Sequence, residues 1–530
     1  MNDRNADGDV PHEPWPWWKT GVVYQVYPRS FADSDGDGIG DLPGATDHLD
    51  HIAGLGADAV WFSPFYRSPM DDFGYDISDH CDVDPLFGDL ADADAMIASA
   101  HAMDLKVVLD VVPNHTSDQH PWFQAARSSR DDPKRGWYVW RDPAPDGGPP
   151  NNWRAAFADE PAWTFDRASG QYYLHLFLPE QPDLDWNHPD VPPAMVDVLN
   201  FWMDRGADGF RVDVVHCIGK SPDLPDAPEE LAGLPACLLD HGPGVHVQLR
   251  MLRKVMDAPD GDRLLVGETY VFDRERVVSF LGRNDELHMG FNIPALHAPW
   301  TAEAWSAEIR SALDLYTPVD GWPSWVLSNH DVPRHRTRYG SEARARAAAV
   351  LLLTLRGAPF LYAGEELGLL DADIPPDRVV DPGGRDGCRA PLPWTADADH
   401  GWPADPWLPF PPEAAERSVA AQTGDPTSML EHYRRLLTLR RRLPALHRGD
   451  MELLDAPQGV VRWRRSVDES TDPTHPVVEV LVNFTTDTVP IDEPGQGSTW
   501  LGGTADPRTP PAPGDPLGPD EARIIAVHPR

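Results

Sequence analysis

The sequence predicts an α/β fold, a (β/α)8 TIM barrel with a subdomain inserted after its third strand and a C-terminal antiparallel β domain. Three features predict it: eight short apolar runs rich in β-forming residues, helix-compatible stretches between most of them, and a long interruption after the third run. Runs that are apolar on both faces are typical of buried parallel strands, and their alternation with helices favours a barrel. The 530-residue chain can hold one barrel of about 250 residues and smaller additions.

The apolar runs give the positions of the individual elements. The predicted barrel strands are 22–28, 59–64, 106–115, 209–215, 264–269, 287–292, 324–331 and 358–366. The helix-compatible stretches include 89–105, 193–206, 342–357 and, as the last barrel helix, 428–443. This order places each strand so that its carboxyl end faces the same rim of the barrel.

The interruption and the chain end predict two further units. Between His115 and Asp185 the sequence is rich in Pro, Trp, Asn and Asp, with one strand-like piece at 171–178. After the last barrel helix come strand-like runs at 459–465, 477–485 and 523–529. We therefore expect a barrel formed by 1–115 and 185–446, an inserted subdomain at 116–184 and a C-terminal β domain at 447–530.

Composition excludes several classes of partner. With 85 acidic and 45 basic residues, the net charge of −40 disfavours nucleic acid and anionic membranes. The four cysteines are widely spaced and are expected to be reduced thiols. The first ten residues contain no apolar signal region, and no run of 18 apolar residues occurs, so a cytoplasmic enzyme acting on small molecules, as a monomer or a homodimer, is expected.

Polar residues gather at the ends of four predicted strands. They are Asp110, Asn114 and His115 on the third strand, Arg211, Asp213 and His216 on the fourth, Glu268 on the fifth, and Asn329, His330 and Asp331 on the seventh. Active sites of TIM barrels lie at the carboxyl ends of the strands, so convergence of four strands on one rim predicts a catalytic site. Helix capping would explain any one of these residues alone, but not all of them together.

The residue types at this rim favour glycoside cleavage. No Cys or His cluster has metal-ligand spacing, and no GxGxxG, P-loop or GxSxG motif is present, so we expect no organic cofactor. Two carboxylates about 5–5.5 Å apart can cleave a glycosidic bond with retention, one as nucleophile and the other as general acid. Histidine and arginine can hold sugar hydroxyls and orient a carboxylate.

Six short motifs carry a family resemblance. They are 22-VVYQVYPRSF-31, 110-DVVPNH-115, 181-QPDLDW-186, 209-GFRVDVVH-216, 267-GET-269 and 328-SNHD-331. In this order they resemble an α-glucosidase of the α-amylase superfamily (glycoside hydrolase family 13), in its oligo-1,6-glucosidase and α-glucosidase group. The resemblance covers nearly the whole chain and implies the same barrel, insertion and C-terminal domain.

The resemblance also implies catalytic roles. Asp213 would be the nucleophile and Glu268 the general acid/base, whose pKa must be raised to keep its proton near neutrality. Asp331 would bind sugar hydroxyls and favour the oxocarbenium-like transition state. Arg211, two residues before Asp213 on the same face of its strand, would keep that carboxylate ionised and oriented. Asp110 is expected to be structural.

Substrate-binding residues follow from the same resemblance. His115 and His330 would bond hydroxyls of one glucose, and Tyr75 would stack beneath its ring. Asp72 and Arg389 would pair to hold the non-reducing end and close the pocket, which implies exo action. The alternative is an ordinary surface ion pair, which contributes little to stability. The pocket lining contributed by the insertion would be Phe157, Phe177 and Gln181.

Linkage preference stays open at this point. Val214, directly after the nucleophile, accompanies α-1,6 cleavage in the family, whereas the acidic, Pro-rich stretch 217–244 resembles enzymes that act on maltose-type substrates. Asp185 stands where oligo-1,6-glucosidases usually have Asn. We favour an α-1,4 exo-glucosidase for short α-glucosides. The alternatives are an oligo-1,6-glucosidase, a transglucosidase or sucrose- or trehalose-converting enzyme, and a catalytically dead sugar-binding scaffold.

The stretch 33-DSDGDGIGD-41 resembles the family's structural calcium loop. Asp33, Asp35 and Asp37 occupy positions 1, 3 and 5 of an EF-hand-like count, but position 12 is a glycine instead of the required Glu. Asp41 would supply another carboxylate and Ile39 a backbone carbonyl. We expect Ca²⁺, with Mg²⁺ as the alternative, in a structural role; the other interpretation is a metal-free Asp/Gly turn.

Overall fold

The structure, a computed structural model, describes residues 15–157, 160–239, 242–258, 262–381, 383–467, 476–492 and 498–527. In chain order the strands are β1 Val23–Val26, β2 Ala59–Phe62, β3 Tyr66–Arg67, β4 Asp79–Val83, β5 Lys106–Val111, β6 Trp140–Arg141, β7 Trp163–Asp166, β8 Gln171–Leu174, β9 Gly209–Val212, β10 Leu264–Gly267, β11 Met289–Gly290, β12 Ser324–Val326, β13 Ala358–Tyr362, β14 Asp450–Leu454, β15 Val460–Ser466, β16 Val477–Asn483, β17 Thr499–Gly503 and β18 Ala522–Val527.

The α-helices alternate with the barrel strands and extend into the chain's last third. They are α1 Trp17–Thr20, α2 Leu42–Asp47, α3 Leu49–Leu55, α4 Leu90–Ala102, α5 Pro121–Ser128, α6 Val191–Asp204, α7 Gly244–Met256, α8 Arg274–Ser279, α9 Ile293–Leu296, α10 Ala302–Tyr316, α11 His335–Tyr339, α12 Glu342–Thr354, α13 Ala414–Arg417, α14 Val419–Gln422, α15 Met429–Arg442 and α16 Pro444–Arg448.

Eight parallel strands form a nearly closed barrel, in the order β11-β10-β9-β5-β2-β1-β13-β12. The Ser324 hydroxyl on β12 donates to the Gly290 carbonyl on β11 at 2.9 Å, so a side chain links the two end strands. Each strand lies inside one of the eight predicted runs, which confirms the predicted fold class. The strands end earlier than the runs because the polar residues at the carboxyl ends belong to the rim.

Burial explains why these segments form the barrel wall. Every residue of β1, β2, β9, β10 and β13 is buried, as expected for strands covered on both faces. Helix α12 is enclosed over most of its length: the Ser341 hydroxyl caps its first turn, and its Ala- and Leu-rich residues 347–354 are buried against α15 and the C-terminal strands. A helix that is apolar nearly all round is one that packs on several sides.

Three smaller sheets lie outside the barrel, of which the smallest pairs β3 with β4. Strands β6, β8 and β7 form an antiparallel sheet within the predicted insertion, and β14-β15-β16-β18-β17 form the antiparallel C-terminal sheet. The sequence did not predict β14 or β17, which are the two edge strands of the C-terminal sheet. β14 has no fully buried residue, and β17 contains a register shift next to Gly502. The predicted domain boundaries stay predictions.

No helix among the described residues has both the length and the apolar character that crossing a membrane requires.

Candidate active site

Two neighbouring strands place the predicted catalytic carboxylates side by side. Asp213 follows β9 and Glu268 follows β10, and the two strands pair in parallel so that Val212 lies opposite Gly267. Arg211 stands between the two carboxylates: its Nη1 is 2.7 Å from Asp213 Oδ1 and its Nη2 is 2.6 Å from Glu268 Oε2. One buried guanidinium therefore holds both groups at the rim.

A third carboxylate shares the same arginine. Asp110 on β5 lies opposite Arg211 in the sheet register, and its Oδ1 is 2.9 Å from Arg211 Nη1. Burial raises the pKa of Asp110 to about 6 although Arg211 opposes the shift. Burial likewise raises the pKa of Asp213, with Arg211 lowering it and Glu268 raising it again. One cation cannot balance three buried carboxylates, so this cluster keeps a proton near neutral pH.

The turn after Asp213 is strained. Val214 has φ 33° and ψ 44°, a left-handed conformation that a β-branched residue rarely adopts. Its N–H donates to Glu268 Oε2 at 3.2 Å. Backbone strain of this kind, held in place by surrounding structure, is typical of functional sites. The strained turn fixes the direction in which Asp213 leaves its strand.

Tyr75 and His330 form a buried stack beside these carboxylates. Their rings are 5° from parallel with centroids 5.4 Å apart, and the Tyr75 hydroxyl is 2.7 Å from His330 Nε2. Gln25 Nε2 lies 2.8 Å from His330 Nδ1, which assigns the proton to Nε2. Burial lowers the pKa of His330 to about 3, so the ring is neutral. Both ring nitrogens have protein partners, and the predicted bond from His330 to sugar stays a prediction.

Asp331 is held ionised by two arginines. Burial raises its pKa, but Arg385 and Arg389 outweigh this effect and hold the pKa well below its ordinary value. Asp331 Oδ1 is 3.1 Å from Arg385 Nη1 and 3.0 Å from Arg389 Nη2. The carboxylate can therefore accept hydrogen bonds from sugar hydroxyls at any pH near neutrality.

The predicted pair of Asp72 with Arg389 is wrong, because the partner of Asp72 is Arg385. Arg385 Nη2 is 2.7 Å from Asp72 Oδ1, and its guanidinium carbon lies 4.6 Å from the Phe157 ring centroid. The short helical turn Asp386–Arg389 sends Arg389 inward, where it is fully buried and donates to the His330 carbonyl at 2.8 Å. Arg385 precedes that turn and so reaches the cavity.

The residues predicted from the insertion divide into two layers. Phe157 and Phe177 line the cavity, with ring centroids 5.9 Å apart. Gln181 is fully buried, and its Nε2 bridges Asp72 Oδ2 at 3.0 Å and His115 Nε2 at 3.1 Å. Gln181 therefore lies behind the wall and positions two lining residues; the prediction that it lines the pocket is corrected.

These side chains enclose a cavity of about 300 Å³. Its polar end, as we name it, consists of Asp72, Tyr75, His115, Asp331 and Arg385. Its apolar end consists of Val214, Pro235, Cys237, Leu238 and Tyr270. The catalytic carboxylates Asp213 and Glu268 also line the cavity, together with Ala156, Phe157, Phe177, His216 and Gly383.

Sequence reasoning missed several residues of this site. Arg385 lies four residues before the predicted Arg389, and the sequence alone does not show which of the two arginines faces the cavity. The buried carboxylate of Asp381 accepts from Arg385 Nε at 2.9 Å and positions it. Asp76 similarly organises the loop that carries Asp72, since its Oδ1 accepts the Asp72 N–H at 3.0 Å. At the apolar end, only Val214 belongs to one of the six motifs.

The unusual Asp185 turns out to lie away from the cavity lining. Its Oδ1 accepts from the backbone and side-chain amides of Asn187, both at 3.0 Å. Within the same motif, Asp183 is fully buried and is 2.7 Å from Lys220 Nζ, which also donates to Asn114 Oδ1 at 2.6 Å. The motif thus ties the loops after β5 and β9 together.

The aspartate loop brings together three of the predicted ligands. Carboxylate oxygens of Asp33, Asp35 and Asp37 lie within 4.8 Å of one another. Burial and the neighbouring carboxylates raise the pKa of Asp37. Asp41 does not join this group: its Oδ1 accepts the Gly44 N–H at 2.6 Å as the cap of α2, and its Oδ2 accepts from Ser34. The prediction of Asp41 as a ligand is corrected to that of a helix cap.

Known proteins are similar to this chain over most of its length. The family model described as alpha amylase, catalytic domain, matches residues 25–449. A probable alpha-glucosidase of Rhizobium meliloti (strain 1021) is 41% identical over 481 residues, covering 85% of this chain and 87% of that protein. An oligo-1,6-glucosidase of Parageobacillus thermoglucosidasius is 37% identical over 501 residues, covering 85% and 88%.

Solved structures show the same architecture. The alpha-glucosyl transfer enzyme XgtA superposes with a TM-score of 0.89 at 37% identity, covering 97% of this chain and all of that one. The trehalulose synthase MutB of Pseudomonas mesoacidophila MX-45 superposes with a TM-score of 0.88 at 33% identity and 97% coverage of this chain. The chain belongs to the α-amylase family, glycoside hydrolase family 13.

Proposed function

We propose that this protein is a retaining, exo-acting α-glucosidase that releases α-glucose from the non-reducing end of short α-glucosides. The main support for the proposal is that Asp213 and Glu268 both pair with the guanidinium of Arg211 and both line the cavity. Two carboxylates on adjacent nitrogens of Arg211 are neighbours, as the double-displacement mechanism of retaining glycosidases requires. The relatives named alpha-glucosidase and oligo-1,6-glucosidase support the same reaction.

The first step of the proposed reaction forms a glucosyl ester. Asp213 attacks the anomeric carbon of the terminal glucose while Glu268 gives its proton to the leaving oxygen, and the glycosidic bond breaks. Arg211 lowers the basicity of Asp213 and orients it, and Asp331 faces the positive charge that develops on the sugar ring. In the second step Glu268 takes a proton from water, and the water oxygen replaces Asp213 at the anomeric carbon.

Exo action follows from the ion pairs at the polar end. Arg385 joins Asp72 to Asp331, and a fully buried Gln181 holds Asp72 from behind. A glucose whose last hydroxyls meet this bridge has no room for a further sugar beyond it. The polar end therefore supports recognition of a chain terminus.

A substrate panel tests the proposal. The enzyme is incubated with p-nitrophenyl α-glucoside, maltose, isomaltose, sucrose and trehalose, and glucose release is followed. We expect turnover of p-nitrophenyl α-glucoside and of at least one disaccharide. Failure to turn over any α-glucoside would contradict the function, and formation of maltose before glucose from p-nitrophenyl α-maltotrioside would contradict exo action.

For the linkage, we propose the maltose-type α-1,4 bond, on the resemblance of the loop 217–244. The second candidate is the isomaltose-type α-1,6 bond, which the relatives named oligo-1,6-glucosidase and the cavity-lining Val214 favour. The ratio of kcat/KM for maltose to that for isomaltose separates the two candidates. A Val214→Thr variant should raise this ratio if the side chain after the nucleophile controls the linkage.

A structural cation is proposed for the aspartate loop, where Ca²⁺, or Mg²⁺ in its place, would be held by Asp33, Asp35 and Asp37 and by the Ile39 carbonyl. The residues fit a hard cation, since three carboxylates converge within 4.8 Å and two of them are exposed. The same carboxylates accept backbone N–H groups of the loop, among them Gly36 N–H at 2.7 Å from Asp33 Oδ1. The cation would stiffen this loop and supply no chemistry to the reaction.

A further inference from the structure

A buried lysine lies behind the polar end of the cavity. Lys220, on the loop after β9, is only 3% exposed and is not part of the cavity lining. Its Nζ is 2.7 Å from Asp183 Oδ2, and it donates to Asn114 Oδ1 at 2.6 Å and to the Cys217 carbonyl at 2.9 Å. An ammonium group has three N–H donors and no acceptor, so these contacts use all of them. Lys220 therefore acts on the cavity only through its neighbours.

Lys220 fixes the orientation of the Asn114 side-chain amide. Because a lysine only donates, the Asn114 atom bonded to it must be the carbonyl oxygen. The amide nitrogen then lies on the other side, where it donates to Asp183 Oδ2 at 3.2 Å and is 3.1 Å from His115 Nδ1. An N–H group therefore faces Nδ1 of the His115 ring.

A second oriented amide faces the other nitrogen of the same ring. Gln181 Oε1 accepts the Leu178 backbone N–H at 3.1 Å, and Gln181 Nε2 donates to Asp72 Oδ2 at 3.0 Å. These two partners again leave one orientation, in which Gln181 Nε2 is 3.1 Å from His115 Nε2. His115 thus lies between two amide nitrogens that both carry protons.

This arrangement disfavours the imidazolium form of His115. An imidazolium carries N–H on both ring nitrogens and would meet both amides donor to donor, whereas a neutral ring accepts from one of them. No more than 1% of His115, Asn114 or Gln181 is exposed, so a mismatched donor here would be a buried unsatisfied group. The two amides thus add to the effect of burial.

The charges around the ring depend on Lys220 as well. Burial lowers the pKa of His115 to about 4; Asp183 and a hydrogen bond to the Tyr75 backbone raise it, and Lys220 and His80 lower it. Loss of the Lys220 charge would leave Asp183, which favours the protonated ring. A further carboxylate, that of Asp72, adjoins the ring through Gln181.

We propose that Lys220 is a positioning residue that keeps His115 neutral by orienting Asn114, so that the polar end stays open to glucose in mildly acidic solution. This inference rests on the proposed glucosidase function and assigns a residue outside the cavity to its sugar site. A protonated His115 would be attracted to the neighbouring Asp72 carboxylate and would compete with sugar hydroxyls for it. The expected consequence is weaker sugar binding at acid pH.

Asn114→Asp tests the proposal most directly. The substitution keeps the shape and the contact with Lys220, but it places an acceptor where a donor now faces His115 Nδ1. We expect the acid limb of kcat/KM for p-nitrophenyl α-glucoside to move to higher pH by about one unit or more, through a rise in KM. An acid limb that stays in place would overturn the proposal. So would a loss of equal size at every pH, which is the result of a merely structural role.

Two lysine variants locate the effect. Lys220→Met should move the acid limb in the same direction as Asn114→Asp, because it removes both the charge and the group that orients the amide. Lys106→Met is the matched control: Lys106 Nζ is 2.9 Å from Asp208 Oδ1 at the start of β5, away from the catalytic rim. This variant should leave the acid limb unchanged. An acid limb that moves in Lys106→Met but not in Lys220→Met would contradict the assignment.

NMR on the wild-type enzyme gives the answer if the variants fail to fold. The histidines are labelled with ¹⁵N, and the His115 signal is assigned as the one missing from His115→Asn. We expect its ring nitrogens to keep the chemical shifts of a neutral imidazole from pH 8 to pH 5. Imidazolium shifts at pH 6 would overturn the proposal. This readout needs no turnover, so a failure of the glucosidase function, seen as no turnover of any α-glucoside, is distinguished from a failure of this inference.

Discussion

The two ends of the cavity are built on different physical principles. The polar end is a network of ion pairs and buried hydrogen bonds in which Asp72, Asp331 and Arg385 hold one another. The apolar end is a set of hydrocarbon and aromatic side chains on loops after β9 and β10, with its polar groups bonded inward. The comparison teaches that the polar end depends on mutually paired charges with few alternative arrangements, whereas the side chains of the apolar end pack without such a network.

The largest effects are expected at the carboxylates between the two ends. Asp213→Asn should lower kcat by about 10⁴-fold or more on every substrate, because no nucleophile remains. Glu268→Gln should lower kcat as severely on maltose but less on p-nitrophenyl α-glucoside, whose leaving group needs little proton assistance. Steady-state kinetics on both substrates, with circular dichroism as a control for folding, measure this. Near-wild-type turnover of maltose by either variant would contradict the catalytic role assigned to the substituted residue.

The next largest effect is expected at the ion pair of Arg385 with Asp72 in the polar end. Arg385→Ala and Asp72→Ala should each lower kcat/KM for p-nitrophenyl α-glucoside by about 10²–10³-fold, because each removes one member of the ion pair that positions the polar end. Arg378→Ala, in the same loop but 3.6 Å from the exposed Asp405, is the matched control and should change little. If Asp72→Ala hydrolysed p-nitrophenyl α-glucoside as well as wild type, the exo argument would lose its support.

Acid should destabilise the fold through buried histidines. Burial lowers the pKa of His115 to about 4 and of His80 to about 4, and His330 to about 3. Between these values and the ordinary pKa of about 6.5, the unfolded chain binds protons that the folded chain does not. The stability that these histidines contribute is therefore full above about pH 6.5 and falls as the pH drops toward 4.

Melting curves at pH 7.5, 6 and 5 measure this linkage. The midpoint should fall with each step, and His115→Asn should show a shallower fall than wild type because one buried imidazole is removed. A fall as steep in His115→Asn as in wild type would contradict the assignment of a neutral, buried His115.

The aspartate loop belongs to neither end of the cavity, and removal of its cation is expected to have the smallest effect on activity. EDTA should lower the melting midpoint and added Ca²⁺ should restore it, while kcat/KM at 25 °C should change little. Asp35→Asn, which removes one exposed carboxylate of the group, should reduce the response to Ca²⁺. A melting midpoint that neither EDTA nor Ca²⁺ changes would contradict the proposal of a bound metal ion.

Sequence reasoning reached the barrel and the catalytic rim but not the details of either end. Strands such as 358–366 were predictable because a buried parallel strand is apolar on both faces. Edge strands such as β14 were not, since half-exposed residues at a sheet edge carry no comparable pattern. The choice between Arg385 and Arg389 depends on a helical turn that separates their directions. Leu238 and Tyr270 belong to no motif, and only the fold brings them together.

The configuration of the first sugar released tests the central claim most directly. Proton NMR follows the anomeric signals during the first minutes of hydrolysis of p-nitrophenyl α-glucoside, before the free sugar equilibrates. Two displacements through Asp213 predict that α-glucose appears first and the β-anomer only later, by mutarotation. Appearance of β-glucose first would show a single displacement by water and would contradict the role of Asp213 as nucleophile.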